Sequence, residues 1–291
     1  MITYNHEKYI KQAIESVLMQ KCDFDYEIII GEDASTDNTR NEILKLKKKY
    51  PQIIKPILQD KNIGMLPNFA KTIQVAKGEY IALLEGDDYW TDPNKLQKQV
   101  DFLEANPEFV ASSTAYSQLE EKSATFIDKK NVFSSDIIKI EDLIDNNYIS
   151  TLTCVFRNNL FKEFPQQYYN LKVGDWPLHV LNAQFGNVKY FSNWVSGAYR
   201  IHENGVWSNQ KKIQKLIAYA DVYVFFKQTL QKKYHKQISK KIVDYYYSIA
   251  SVYIAEKNKK EAKKIIQNIK KECSPFNKKH LKIRLKYLLN K

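Results

Sequence analysis

Glycine and proline are scarce, 8 of each in 291 residues, which excludes collagen-like, glycine-rich repeat and low-complexity architectures. Cysteine is scarcer still. Cys22, Cys154 and Cys273 lie too far apart for a metal-ligand spacing and are too few for a disulfide framework, as suits a reducing compartment. No apolar run approaches the roughly 20 residues a membrane helix needs; the longest, at 216–226, contains Asp221. The N-terminus shows no signal-peptide pattern. A soluble or peripheral protein of the cytoplasm is the expectation. Beyond residue 208 arginine is almost missing, Arg284 standing alone, so a nucleic-acid binder is not expected either. What is present is a 44% hydrophobic fraction beside 27% charged residues, enough for a real core and too apolar for disorder.

The net charge of +12 is unevenly spread. Residues 1–208 hold 23 Lys and Arg against 28 Asp and Glu, whereas residues 209–291 hold 22 against 5. The pattern predicts two modules with different electrostatic roles, a mildly acidic one over 1–208 and a basic one over 209–291.

The acidic module alternates strand-like and helix-period stretches. Tyr9, Ile10, Ala13, Ile14, Val17 and Leu18 form one helical stripe. Residues 26–30 read as a strand, and Thr36 or Asp37 can cap a helix that ends before Pro51. Residues 53–58 read as a strand near a sheet edge, because Pro56 cannot donate to a ladder. A helix over 67–76 precedes the apolar run 80–84, which has the continuous hydrophobicity of a parallel strand covered on both faces. A helix over 94–106 and a strand over 109–116 follow. This alternation predicts a doubly wound α/β sheet. Only the last residues of an opening strand fit before the first helix, and a late start of the chain is the expectation. After residue 208 strand signals vanish, and 245–270 read as a helix hairpin turning at 256–259.

Four polar clusters fall at expected strand ends, where open α/β sheets bind ligands. They are Thr3-Tyr4-Asn5, the acidic run from Glu32 and Asp33 to Asp37, Glu85-Gly86-Asp87-Asp88, and Gly174-Asp175-Trp176-Pro177. Adjacent carboxylates at the exit of a buried strand repel one another and lose hydration. A divalent cation, Mg²⁺ or Mn²⁺, removes both penalties; the competing reading is a solvated acidic turn.

These clusters, together with Asn62-Ile63-Gly64, Gly78-Glu79-Tyr80-Ile81 and Tyr199-Arg200-Ile201-His202 in the same order, resemble family 2 glycosyltransferases across 1–208. The resemblance implies a GT-A fold, a mixed doubly wound sheet, with an all-α region after it. It implies inverting transfer of a sugar from a nucleotide-diphosphate donor, most familiarly a UDP-sugar. The acceptor would be a glycan or lipid-linked hydroxyl in surface polysaccharide assembly. Carried over by motif, Thr3, Tyr4, Asn5, Asp33, Asn62 and Asp87 would bind the nucleotide. Asp87, Asp88 and His202 would hold the cation, and Asp175 would be the catalytic base. Glu85, Trp90 and Trp176 would face the sugar or acceptor, although core packing is an equal reading for Trp176. Three departures from the family pattern stand out: most of the first strand is absent, Glu85 replaces a frequent Asp, and Pro67-Asn68 replaces an Arg-Asn pair. The Gln-x-x-Arg-Trp motif of polymerising synthases is missing, which favours single addition.

Two other readings compete. A sugar nucleotidyltransferase needs an N-terminal glycine-rich phosphate loop, yet Gly31 is the first glycine. A non-catalytic scaffold, in which a helical tail holds a partner and the first domain is a decayed transferase, needs no chemistry at all. The histidines outside the motif have plain expectations: His6 on the surface of the first helix, His179 buried, His235 and His280 solvated. The basic tail suits diffuse attraction to an anionic membrane surface or, equally, mere solvation.

Overall fold

The computed structural model describes residues 1–129, 135–203, 205, 207, 210–274 and 277–289. The chain divides into two compact units: 1–164 with 174–205, and 165–173 with 206–291. The expected boundary between residues 208 and 209 lies outside the described residues.

In the first unit, β1 (Ile2–Thr3), β2 (Ile28–Glu32) and β3 (Ile54–Leu58) form a parallel sheet in the order β1-β2-β3. Three helices accompany it: α1 (Ile10–Leu18), α2 (Thr39–Lys49) and α3 (Met65–Gln74). Ile10, Ala13, Ile14 and Val17 of α1 are buried, as their spacing requires. Asp37 accepts from the Thr39 backbone N–H at 2.9 Å and so satisfies a first-turn donor of α2. Pro56 sits in β3, the outer strand, where its missing N–H costs no ladder bond.

The rest of the unit is a mixed sheet. It contains β4 (Tyr80–Ala82), β5 (Tyr89–Trp90), β6 (Phe109–Glu120), β7 (Thr125–Lys129), β8 (Ile137–Ile138), β9 (Val155–Arg157) and β10 (Asn187–Ile201). The order is β4-β9-β6-β10-β5, with β7 on β6 and β8 on β10. Helices α4 (Lys95–Ala105), α5 (Ile140–Asp145) and α6 (Asp175–Asn182) complete the unit. One parallel bridge, Ile2 to Glu85, joins the two sheets. The strand expected over 80–84 is shorter than its hydrophobicity suggests, and its ladder partner β9 is antiparallel. Its apolar run reflects burial between layers, not a parallel ladder on both sides. Between β2 and β4 lies a cavity of about 640 Å³, lined by Ile28, Ile29, Ile81, Leu83, Phe69 and Val100 among others.

β10 is irregular where it matters. Its pairing with β6 shifts register between Phe191 and Val195 and again between Val195 and Ala198. Such bulges bend a strand and re-aim its side chains. Beyond them Gly197 and Ala198 pair with β5, which brings Arg200 and His202 beside the 85–88 turn.

The second unit contains α7 (Lys212–Thr229), α8 (His235–Ala255), α9 (Lys259–Glu272) and α10 (Lys278–Leu289), with no strand among its described residues. The expected hairpin is α8 and α9. Its turn carries Lys257 at φ 58°, and the side chain of Asn258 caps α9 by accepting from Glu261. Val243, Ala250, Ile254, Ala262, Ile266, Ile269 and Ile283 form its core. His280, expected to be solvated, is buried on the inward face of α10.

Candidate active site

The site is built from turns that leave the C-terminal ends of β1 and β2 and follow β4. Asn5 takes a left-handed conformation, φ 57°, which Asn tolerates better than most residues. The turn is locked from both sides: the Asn5 N–H donates to Ser35 Oγ at 3.0 Å, and Asn5 Oδ1 accepts from the Thr36 N–H at 2.8 Å. Glu32 is fully buried and accepts from the Ser35 N–H at 2.6 Å and from Arg40 Nε at 2.5 Å. Asp33, also buried, accepts from the backbone N–H groups of Ile63 at 2.8 Å and Gly64 at 3.0 Å. Its carboxylate therefore holds the 62–64 loop against the end of β2.

Against these turns packs the Glu85-Gly86-Asp87-Asp88 segment. The Gly86 N–H donates to Ile2 O at 3.0 Å, and a Cβ at Gly86 would lie 2.6 Å from Thr3 Oγ1. Glycine is required by this approach. Asp88 is 1% exposed; its Oδ1 accepts from the Arg200 backbone N–H at 2.8 Å, while Oδ2 is buried with no partner. Burial first, then the charges of Asp87 and Glu85, push the Asp88 carboxyl well above the usual carboxylate range. Glu85 is pushed up to about 8 by burial and by Asp87 and Asp175. Asp87 moves the other way. Burial opposes its charge, but His202 Nε2 at 3.1 Å and His6 Nε2 at 3.7 Å from the same oxygen outweigh that and keep it low.

Arg200 fastens the segment to β10. Its guanidinium donates to the Asp87 carbonyl at 2.5 Å and to Gln12 Oε1, and lies 5.1 Å from the ring centre of Tyr9 and 4.6 Å from that of Tyr89. The Tyr9 ring stands 4.8 Å from His202, and its hydroxyl donates to Glu121. Asp175 opens α6, where the helix dipole favours a carboxylate. Its Oδ2 accepts from Asn147 Nδ2 at 3.1 Å and Thr151 Oγ1 at 3.0 Å.

The structure thus brings together Thr3, Glu85, Asp87, Asp88 and His202, with Asp175 near enough to raise Glu85. Tyr4 is exposed at the rim, and the exposed Asn62 accepts from the Gly64 N–H within its own loop. Trp90 and Trp176 are 3% and 2% exposed, their indole N–H groups donating to Leu152 O and Leu143 O. Neither offers a face to a sugar: for Trp90 the expected sugar contact is corrected to core packing, and for Trp176 core packing is the one of its two readings that the burial supports. His6 is corrected in the opposite direction. It precedes α1 and follows the left-handed Asn5, and its Nε2 lies 3.7 Å from Asp87 Oδ2. Arg200, Tyr9 and Gln12 had no assigned role; only the position of Arg200 within the Tyr199-to-His202 motif hinted at one.

Among the described residues no three His, Cys, Asp or Glu side chains form a ready-made metal cage. The donors nevertheless fit a divalent cation held in the manner of Mg²⁺, by one or two carboxylates with substrate phosphates completing the shell. The unpartnered Asp88 Oδ2 and the mutual repulsion of Glu85, Asp87 and Asp88 are the observations that fit.

Acidic turns gathered at the strand exits of such a mixed sheet lie where open α/β sheets bind their ligands. The family model for glycosyl transferase family 2 matches residues 1–164, and the chain belongs to that family. An uncharacterised Mycobacterium tuberculosis protein, Rv1520, is 36% identical over 207 residues, 71% of this chain and 59% of its own. The chain therefore spans about three-fifths of the length of that relative. The putative teichuronic acid biosynthesis glycosyltransferase TuaG of Bacillus subtilis is 31% identical over 216 residues, 73% of this chain and 82% of its own. Among solved structures, Staphylococcus aureus TarS 1–349 in complex with UDP-GlcNAc superposes with TM-score 0.70 at 19% identity, covering 99% of this chain and 87% of that one. The Pyrobaculum calidifontis mannosyltransferase PcManGT with GDP-Man and Mn²⁺ gives 0.60 at 13% identity, covering 100% and 86%. These likenesses show the fold, and the family match sets aside the nucleotidyltransferase reading.

Proposed function

We propose that the chain transfers a sugar, with inversion, from a UDP-sugar to a hydroxyl of a glycan or lipid-linked acceptor in surface polysaccharide assembly, at the cytoplasmic side. The observation that carries the reading is the buried, unpartnered Asp88 Oδ2 between Asp87 and Glu85 at the strand exits. TuaG, named for teichuronic acid biosynthesis, and TarS, bound to UDP-GlcNAc, support the acceptor class and donor base.

In this reading Asp88 and Asp87, with His202, hold a divalent cation, and PcManGT with Mn²⁺ supports that choice. When bound, the cation supplies a preformed positive charge for the leaving diphosphate. The chain's own residues do the rest. Asp33 holds the 62–64 loop against the end of β2, and Thr3 and Tyr4 at the end of β1 meet the nucleoside. Arg200 keeps the Asp87 carbonyl and the Asp88 carboxylate fixed while charge develops. Asp175 takes the proton of the acceptor hydroxyl as that oxygen attacks the anomeric carbon from the face opposite the leaving group. Its hydrogen bonds from Asn147 and Thr151 both fall on Oδ2, and Oδ1 is the oxygen offered to the acceptor. Inversion follows from a single displacement.

A thermal-shift screen of sugar nucleotides with and without Mn²⁺ tests the proposal. A donor at about a hundred times its Kd stabilises the folded chain by roughly 2.7 kcal/mol. The shift should appear with UDP-sugars and require the cation. Equal shifts in excess chelator overturn the metal assignment, and a response only to other nucleotides overturns the donor.

A further inference from the structure

Helix α10 has two apolar faces, and packing within its own unit uses only one. His280 and Ile283 are buried, and Tyr287, on the same side, packs against the core cluster of α8 and α9. Leu281, Leu285 and Leu288, spaced i, i+4 and i+7, form a second stripe. They are 47%, 59% and 51% exposed, and the adjoining Leu289 is 77% exposed. Four large leucines on twelve residues exceed the scatter expected of an ordinary soluble surface.

Cationic side chains border this stripe on both sides. By helical position Lys278 and Lys282 fall on one border and Arg284 on the other, and all three are exposed. Lys279 is engaged elsewhere, in an ion pair with Asp244. On α9 the lysines at 259, 260, 263, 264, 270 and 271 are all exposed. An apolar stripe within a cationic border is the pattern of a helix that lies in the plane of a bilayer interface. Lysine predominates over arginine, as suits diffuse attraction to anionic headgroups more than fork-like pairing with one phosphate. A second copy of the same face is a poorer occupant, since pairing two such stripes would bring their cationic borders together.

We propose that α10 docks the chain peripherally on an anionic lipid surface, its leucine stripe entering the headgroup–acyl boundary while the flanking Lys and Arg meet the headgroups. This stands apart from the transfer reaction, because no donor, cation or acceptor enters it.

The experiment is vesicle sedimentation of the full chain with phosphatidylcholine alone and with phosphatidylcholine containing about 30% phosphatidylglycerol, which supplies the anionic surface. The chain should pellet with the anionic vesicles only. Partition should fall at least tenfold in Leu285→Glu/Leu288→Glu, and about fivefold for each of Lys278→Gln and Lys282→Gln. It should also weaken as salt rises. The substituted leucines are exposed, so an unchanged circular dichroism melt shows that the fold is intact. Equal binding to both vesicles, no binding to either, or unaltered binding by the leucine variant overturns the proposal. So does a concentration-dependent oligomer that the leucine variant dissolves, which would make the stripe a protein interface.

Discussion

The two units differ in what they bury. The first buries Thr3, Glu32, Asp33, Asp88, Lys95, Gln99, Arg200 and His202 along with its apolar core, whereas in the second His280 is the one buried polar side chain among the described residues. Burying polar groups costs stability unless each is hydrogen-bonded, and in the first unit several atoms are not: Thr3 Oγ1, Asp88 Oδ2, Nδ1 of both His6 and His202, and Lys95 Nζ, which lies 4.3 Å from the centre of the Trp90 ring. The second unit packs as an ordinary helical bundle and keeps its charge outside. Stability and function therefore pull against each other in the first unit and are separable in the second.

The largest expected effect lies on that contrast. Asp88→Ala should lower sugar transfer by a factor of about 10² to 10³, yet change the melting temperature little, because removing the unpartnered Oδ2 offsets the loss of the Oδ1 bond from the Arg200 N–H. Assay and calorimetry on the same sample decide it; a destabilised variant with near-normal activity would make Asp88 an ordinary structural residue. Asp175→Asn should keep donor affinity, measured by titration calorimetry, while transfer drops about 10²-fold or more. Activity within a few-fold of the parent would move the base elsewhere.

The opposite signature belongs to the helical unit. Ile269→Ala removes a fully buried side chain and should cost about 2–5 kcal/mol in denaturant unfolding, with donor affinity of the remaining folded protein unchanged. A smaller gain is expected from filling the cavity between β2 and β4. Adding about five Val- and Ile-rich residues before Met1 should raise the melting temperature by several degrees, because each buried side chain contributes about 1.5–3 kcal/mol before the cost of ordering it. Equal melting of the two forms would show that the cavity does not accept a strand.

A further effect is a pH slope. Burial pushes the Lys95 ammonium down to about 7, Cys154 and Asp92 pulling weakly the other way. From about pH 7 up to the unfolded value of 10.5 the unfolded chain holds a proton that the folded chain has released. Stability therefore rises with pH across that window, and below it Lys95 adds no slope. Lys95→Met should flatten the rise and stabilise the unit at neutral pH. An unaltered pH profile would show that Lys95 keeps its charge in the fold.

Much of this contrast is legible before any coordinates. The period change from mixed to purely helical is visible in the sequence, as are the all-α elements α7 to α10 that follow it. The stripe from Tyr9 to Leu18, Pro56 at an edge and the α8–α9 turn can all be read locally, because each depends on neighbours a few residues away. The segment 165–173 cannot be read that way. It looks like more of the acidic module, yet it belongs to the helical unit.

The amino-acid order by itself determined the alternation of strands and helices, the ordered motifs of a family 2 glycosyltransferase and the gathering of carboxylates at strand exits. These rest on local propensity, composition and spacing. Only the tertiary structure decided which side chains face the site. Trp90 and Trp176 stand beside the acidic motifs in sequence but turn inward, where Leu152 and Leu143 carbonyls accept their N–H groups. His6 follows the left-handed Asn5 and lies beside Asp87, and Arg200 reaches Asp87 and Asp88, more than a hundred residues earlier, because bulges bend β10. A backbone reversal or a register shift changes a side chain's direction without changing its neighbours in sequence, so no local pattern can encode the result.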